Sequence, residues 1–191
     1  MYIIGSDEVG YGAWAGPLYV CAYVAQDSWA LPGLNDSKKL SRTEREEVYR
    51  RLDLTQAVLI SVAPETIDTY GLGHCVVRAH TQAITELLQR GYAGARIIVD
   101  GSLRLPLPDA ESIPKADGIY PAVMAASVIA KCNRDYLMRT LARTFPEYGF
   151  ESHVGYGTPE HMSALRAYGP CALHRLSYRP LRELAQLRSA S

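Results

Sequence analysis

A chain of 191 residues with 48% hydrophobic and 21% charged side chains has the make-up of one folded domain with a good core and room for a small helical appendage. Its 20 basic and 20 acidic side chains cancel, which argues against a broadly basic nucleic-acid coat but allows a local patch. No apolar stretch approaches the roughly 20 residues that span a bilayer. Strand-like sequence begins at residue 2 without signal-peptide features, so a cytoplasmic protein with no membrane partner is expected.

Tyr2-Ile3-Ile4 opens a strand that reaches Asp7 and Glu8, where Gly10-Tyr11-Gly12 bends the chain and Leu18 to Val24 returns as a second strand. Asn35 to Leu40 forms a polar loop, and Ser41 with Glu44 has capping-box spacing, which predicts a helix through Leu52. A third strand is expected over Ala57 to Val62. Apolar residues at helical spacing predict a helix from about His74 to Arg90, ended by Gly91. The strand Arg96 to Asp100 follows, then a short strand around Ser112-Ile113 and a long alanine-rich helix from about Pro121 to Arg143. Beyond Pro146 come glycine- and tyrosine-containing turns with shorter helices near Pro159 to Tyr168 and Leu181 to Arg188. The pattern is a mixed α/β sheet begun by a hairpin.

Four acids stand out. Asp7 and Glu8 close one apolar run, Asp100 closes another with Gly101 directly after it, and Asp117 lies just before the alanine-rich helix. A single Asp in such a place is commonly a turn residue or a helix cap. Carboxylates at strand ends and helix starts can nevertheless converge from distant parts of a chain, and their oxygens suit hard cations such as Mg2+ and Mn2+. Glu8 raises a difficulty, because neighbours on a regular strand point to opposite faces; a bend or bulge at Gly10 and Gly12 is expected to turn it toward the others. Cys21, Cys75, Cys132 and Cys171 have no paired spacing and read as reduced structural thiols, and the 8- and 13-residue spacings of His153, His161 and His174 match no metal motif.

The chain resembles the ribonuclease HII family in seven ordered stretches. These are Asp7 to Gly12 with Ala15-Gly16-Pro17, Asn35 to Ser41, Val99-Asp100-Gly101, Lys115-Ala116-Asp117, Ala125 to Lys131 with Arg134-Asp135, Gly155 to Thr158, and His174 to Ser177. The resemblance implies a ribonuclease H-like mixed sheet flanked by helices, with a catalytic domain over residues 1–145 and a C-terminal helical region over 146–191 that contributes substrate contacts. It implies a two-metal site of Asp7, Glu8, Asp100 and Asp117, with Asp135 as a nearby structural acid. It further implies cleavage of RNA/DNA hybrids and of DNA containing ribonucleotides, on the 5′ side of a ribonucleotide, leaving a 3′-hydroxyl and a 5′-phosphate. The turn Gly10-Tyr11-Gly12 corresponds to the family's Gly-Arg-Gly reader of the 2′-hydroxyl, and Tyr156 to a tyrosine that stacks on the neighbouring sugar. Lys38 and Lys39, and more weakly Arg175 and Arg179, are expected along the phosphate backbone, with a merely solvated surface as the alternative for these charges. Tyr11 in place of arginine, and Val154 where the family often has lysine, remove two phosphate contacts.

Three other readings compete. A resolvase or DNA endonuclease on the same fold would use the same metals on substrates lacking a 2′-hydroxyl, and a hybrid-binding module would not need four mutually repelling acids. A small-molecule α/β enzyme would be expected to show a phosphate-cradling glycine motif or a nucleophile elbow, and the sequence has neither. A monomer is expected. The tail from Leu181 to Ser191 has no aromatic docking motif, which leaves a sliding-clamp partner open.

Overall fold

The computed structural model describes residues 1–189, so the last two residues of the tail lie outside it. Five strands form one sheet: β1 (Tyr2–Val9), β2 (Leu18–Gln26), β3 (Ala57–Val62), β4 (Arg96–Asp100) and β5 (Ala110–Ile113), in the spatial order β3-β2-β1-β4-β5. The pair β1 and β2 is antiparallel, whereas β4 runs parallel to both β1 and β5. Among the described residues there are seven α-helices: α1 (Arg42–Arg51), α2 (Pro64–Tyr70), α3 (Leu72–Leu87), α4 (Pro121–Leu141), α5 (Phe150–His153), α6 (Pro159–Tyr168) and α7 (Arg179–Ser189). None is long and apolar enough to cross a membrane.

The chain gathers into two compact units that are not contiguous in sequence. The first comprises Met1–Val9, Tyr19–Ser61 and Val76–Asn133; the second comprises Gly10–Leu18, Val62–Cys75 and the chain from Arg134 onward. The expected boundary between residues 145 and 146 therefore falls inside the second unit.

In the first unit, strand alternation sends Ile3 and Ile4 into different apolar clusters. Ile3, Cys21, Tyr23 and Ile98 pack with Val48 of α1, with Leu52 just past its end, and with Ala122, Ala125, Ala126 and Ile129 of α4. Ile4, Ala22, Val24, Ile97 and Val99 pack with Ala83, Ile84 and Leu87 of α3. The alanines of α4 have a purpose at Gly5, where an added Cβ would lie 2.3 Å from the Val123 nitrogen and 2.4 Å from the Ala122 carbonyl carbon. Small side chains on the helix and none on the strand let the two backbones come this close. Helix α1 starts as its capping box requires, Ser41 Oγ accepting the Glu44 N–H while Glu44 accepts the Ser41 N–H.

The second unit is built around Ala15, Met138, Tyr148, Phe150, Leu165 and Leu181. Arg134 is wholly buried within it, its guanidinium donating to the carbonyls of Pro17, Val154 and Ala15 at 2.9, 2.8 and 3.0 Å. The three histidines so far apart in sequence meet here. His161 Nδ1 lies 3.0 Å from the Tyr156 carbonyl, so it carries the proton, and its Nε2 accepts from His174 Nε2 at 3.0 Å. His174 Nδ1 then accepts the Cys171 N–H at 2.9 Å, and His153 stacks on His161 with centroids 4.5 Å apart. Every proton in this chain is committed with both imidazoles neutral. Burial holds the His161 and His174 pKa values down to about 4, against 6.5 in water.

A consequence for stability follows. Below pH 6.5 the unfolded chain takes up protons that the folded unit refuses, so stability is full at neutral pH and is lost as the pH falls from 6.5 toward 4. The loss should reach roughly 3 kcal/mol for each imidazole by pH 4. Urea titrations at pH 7 and pH 5 measure this in Asp7→Asn protein, where the opposing titration of the Asp7 carboxyl is absent, and equal midpoints there would contradict the assignment.

Candidate active site

Strand β1 carries Asp7 and Glu8 near its C-terminal end, and Asp100 is the last residue of the parallel neighbour β4. The β4–β5 register sets Asp100 opposite Ile113, so the chain leaving β5 returns beside it. Asp100 Oδ1 accepts the Ala116 N–H at 2.7 Å, which fastens the 3-10 turn Ala116–Gly118 that bears Asp117. All four acids belong to the first unit.

The chain bends at Gly10 to Gly12, but only after Glu8, so no bulge redirects that side chain. The β1–β2 ladder runs unbroken through Asp7 opposite Cys21, Glu8 opposite Val20 and Val9 opposite Tyr19. The two neighbouring carboxylates meet different helices instead. Asp7 is buried and hydrogen-bonded to Ser127 of α4, whose hydroxyl lies 2.8 Å from that of Ser37 in the polar loop. Glu8 Oε2 is 3.2 Å from Nε2 of His80 on α3, and His80 Nδ1 is 2.8 Å from the Ser6 hydroxyl. Since Ser6 donates to the Cys21 carbonyl, His80 Nδ1 is the donor to Ser6. Strand β1 thus presents carboxylates to both of its flanking helices.

The acids act on one another electrostatically. Burial, then the charges of Glu8 and Asp100, push the Asp7 pKa up to about 7. Burial and the charge of Asp117 also raise that of Asp100. A set of buried and half-buried, mutually repelling carboxylate oxygens is a donor set for a hard divalent cation. One positive charge already answers it: the Lys38 ammonium lies 3.0 Å from Asp117 Oδ2. With Glu8 turned to His80 and Asp117 to Lys38, no three Asp, Glu, His or Cys side chains among the described residues close around a common point at ligand spacing.

The expected substrate contacts divide between the units. Lys38 and Lys39 are exposed in the first. In the second, Tyr11 and Gly12 are exposed at the tip of their turn, and the Tyr156 ring lies 5.3 Å from the Arg134 guanidinium. Arg175 departs from expectation. It has no exposed surface, and its guanidinium donates to the carbonyls of Gly16, Gly10 and Tyr11 and to the Tyr178 hydroxyl. It fixes the turn from within rather than meeting a phosphate. Val154, beside the Gly155 to Thr158 turn, is buried with φ 45° and ψ 38°, a left-handed conformation that β-branched residues rarely adopt. Asp135 is buried in the part of α4 that belongs to the second unit, whereas the four carboxylates belong to the first.

Sequence reasoning missed Ser6, His80 and Tyr178 as parts of these networks. His80 had a visible signal, since it falls four residues after Val76 and four before Ile84, in the apolar stripe of its helix.

The profile of the Ribonuclease HII family matches residues 4–180, which includes every residue of the carboxylate cluster. The chain belongs to the ribonuclease HII family. It is 39% identical to ribonuclease HII of Bacillus cytotoxicus, over 96% of this chain and 70% of that one, and 42% identical to ribonuclease HII of Xanthobacter autotrophicus, over 95% and 72%. Family membership makes it a ribonuclease H, an endonuclease acting on RNA/DNA hybrids. The fold agrees. Ribonuclease H2 of Pyrococcus horikoshii superposes with a TM-score of 0.81 over 100% of both chains at 23% identity. Ribonuclease HII of Archaeoglobus fulgidus, solved in a complex with PCNA, does so with a TM-score of 0.75 at 25% identity, over 94% of this chain and 96% of that one. A ribonuclease HIII solved in complex with Mn2+ shares the fold with a TM-score of 0.73 at 18% identity, over 100% of this chain and 71% of its own.

Proposed function

We propose that this ribonuclease H cuts the RNA strand of hybrids, and DNA on the 5′ side of embedded ribonucleotides, by a two-metal mechanism that leaves 3′-hydroxyl and 5′-phosphate ends. The observation that carries this reading is the gathering of carboxylates at the ends of β1 and β4, where burial and the neighbouring acids push the Asp7 pKa up to about 7. Asp7, Glu8, Asp100 and Asp117 would hold Mg2+ or Mn2+, in keeping with their oxygen chemistry and with the Mn2+ complex of the related ribonuclease HIII. Two such cations, when bound, supply Lewis-acid charge and a more acidic water.

The chain's own residues do the rest. Ser127 orients the Asp7 carboxylate and His80 that of Glu8. Lys38, which lies 3.0 Å from Asp117, would be in reach of a backbone phosphate brought to these acids, with Lys39 in the same loop to support it. The Gly10-Tyr11-Gly12 turn reads the 2′-hydroxyl through its backbone, which can both approach closely and donate. Tyr156 stacks on the adjacent sugar. Without the family's arginine at Tyr11 and lysine at Val154, the affinity should depend less steeply on salt, by roughly 0.9 in the log–log slope for each contact. The enzyme works as a cytoplasmic monomer on this reading. The PCNA complex of the Archaeoglobus fulgidus relative makes a sliding clamp a partner to test here.

Relief of carboxylate repulsion gives the first test. Saturating Mg2+ or Mn2+ should raise the melting temperature by several degrees, because the ions bind the folded acids and not the unfolded chain. An unchanged melting temperature would show that the four acids do not form a cation site. End-labelling of the products of a duplex with one ribonucleotide then checks the position of the cut and the two termini.

A further inference from the structure

In the second unit Gly10 takes a φ of +88°, and the turn through Tyr11 and Gly12 is held by its carbonyls. Arg175 Nη1 donates to the Gly10 carbonyl at 2.7 Å and to that of Tyr11 at 3.2 Å. The Tyr178 hydroxyl donates to the Tyr11 carbonyl at 2.6 Å and receives Arg175 Nη1 at 2.6 Å. Both peptides are trans, and in a planar trans peptide the C=O and N–H point opposite ways. Drawing these two carbonyls inward therefore turns the N–H groups of Tyr11 and Gly12 outward. Among the described residues neither N–H meets an acceptor, and Gly12 has open space where a Cβ would stand. Two adjacent outward donors beside a residue without a side chain form a shelf for one oxygen atom.

The two holding groups are not equivalent. Arg175 also bonds Gly16 and is wholly buried, so its loss would disturb the unit at large. Tyr178 is only half-buried, and its ring can stay against the Arg175 guanidinium, 5.2 Å away, without its oxygen. The hydroxyl alone bears on the turn.

We propose that the Tyr178 hydroxyl is a positioning group that sets how strongly this turn discriminates a ribonucleotide from a deoxyribonucleotide. The inference rests on the reading above, in which the turn meets the 2′-hydroxyl. Losing the hydrogen bond leaves the Tyr11 carbonyl with only the longer 3.2 Å bond from Arg175, which lets it rotate, and the outward N–H of Gly12 rotates with it. Tyr178→Phe is the test, with two duplexes that differ only in one ribonucleotide against the matching deoxyribonucleotide. Affinities are read by fluorescence anisotropy in Ca2+, and the melting temperature is recorded alongside.

The expected result is a preference for the ribonucleotide duplex in the unaltered protein that falls about tenfold in Tyr178→Phe, the effect of one well-placed hydrogen bond. A preference that survives in the variant overturns the role of the hydroxyl while leaving the turn as reader. Equal weakening on both duplexes with a lower melting temperature marks Tyr178 as merely structural and also overturns it. No preference in the unaltered protein removes the turn's reading function and this inference together.

Discussion

Replacing Asp7 by asparagine should abolish cleavage, with a loss of at least about a thousandfold in kcat, and should at the same time make the metal-free protein more stable. Asparagine keeps the shape and can still accept the Glu8 N–H, which now meets Asp7 Oδ1 at 2.8 Å. It removes a charge that burial and two neighbouring acids disfavour. The sign is fixed by the direction of the shift. A carboxyl whose pKa is raised from 3.8 to about 7 binds protons more tightly folded than unfolded, so stability declines as the pH rises across that interval. Above pH 7 the penalty is about 4 kcal/mol, and the neutral amide escapes it. Activity assays and thermal melts at pH 8 read both effects. A variant that cleaves normally, or melts lower than the unaltered protein without metal, would contradict the role given to this carboxylate.

Gly5→Ala should be among the most damaging single substitutions in the first unit. The new methyl would meet backbone atoms of Ala122 and Val123 at 2.3 to 2.4 Å, and backbone cannot step aside as the end of a side chain can. Helix α4 would have to lift from β1, and the packing of Ala122, Ala125 and Ala126 would open with it. A loss of more than about 4 kcal/mol is expected, equivalent to a fall of roughly 10 °C in melting temperature for a chain of this size. Since α4 also brings Ser127 to Asp7, any surviving protein should cleave poorly. A near-normal melting curve would show that helix and strand are not packed as closely as described.

Much of the fold was legible because local chemistry dictated it. The Ser41 and Glu44 capping box, the strand over Ala57–Val62 and the helix over Pro159–Tyr168 lie where the sequence placed them. Helix α2 was missed, since its seven residues are too few to show a period. Its marks were the Pro64 at its first position and Gly71 after its end. Strand β1 runs further than its glycines suggested, because pairing with β2 continues to Val9. The four carboxylates were legible in type and order. Their partners were not: Ser127, His80 and Lys38 reach them from 72 to 120 residues away in the chain, and only the fold brings those elements together. Arg175 shows the same limit from the other side. Its charge suggested phosphate, but the carbonyls of Gly16, Gly10 and Tyr11 claim it.

The most direct test is cleavage of two matched duplexes in Mg2+ or Mn2+, one with a single ribonucleotide in DNA and one with a long RNA tract, beside an Asp100→Asn control. Metal-dependent cutting of both is expected, on the 5′ side of the ribonucleotide in the first, with loss of both in the control. Cutting that persists in Asp100→Asn, or that occurs equally on an all-DNA duplex, would contradict the proposed function.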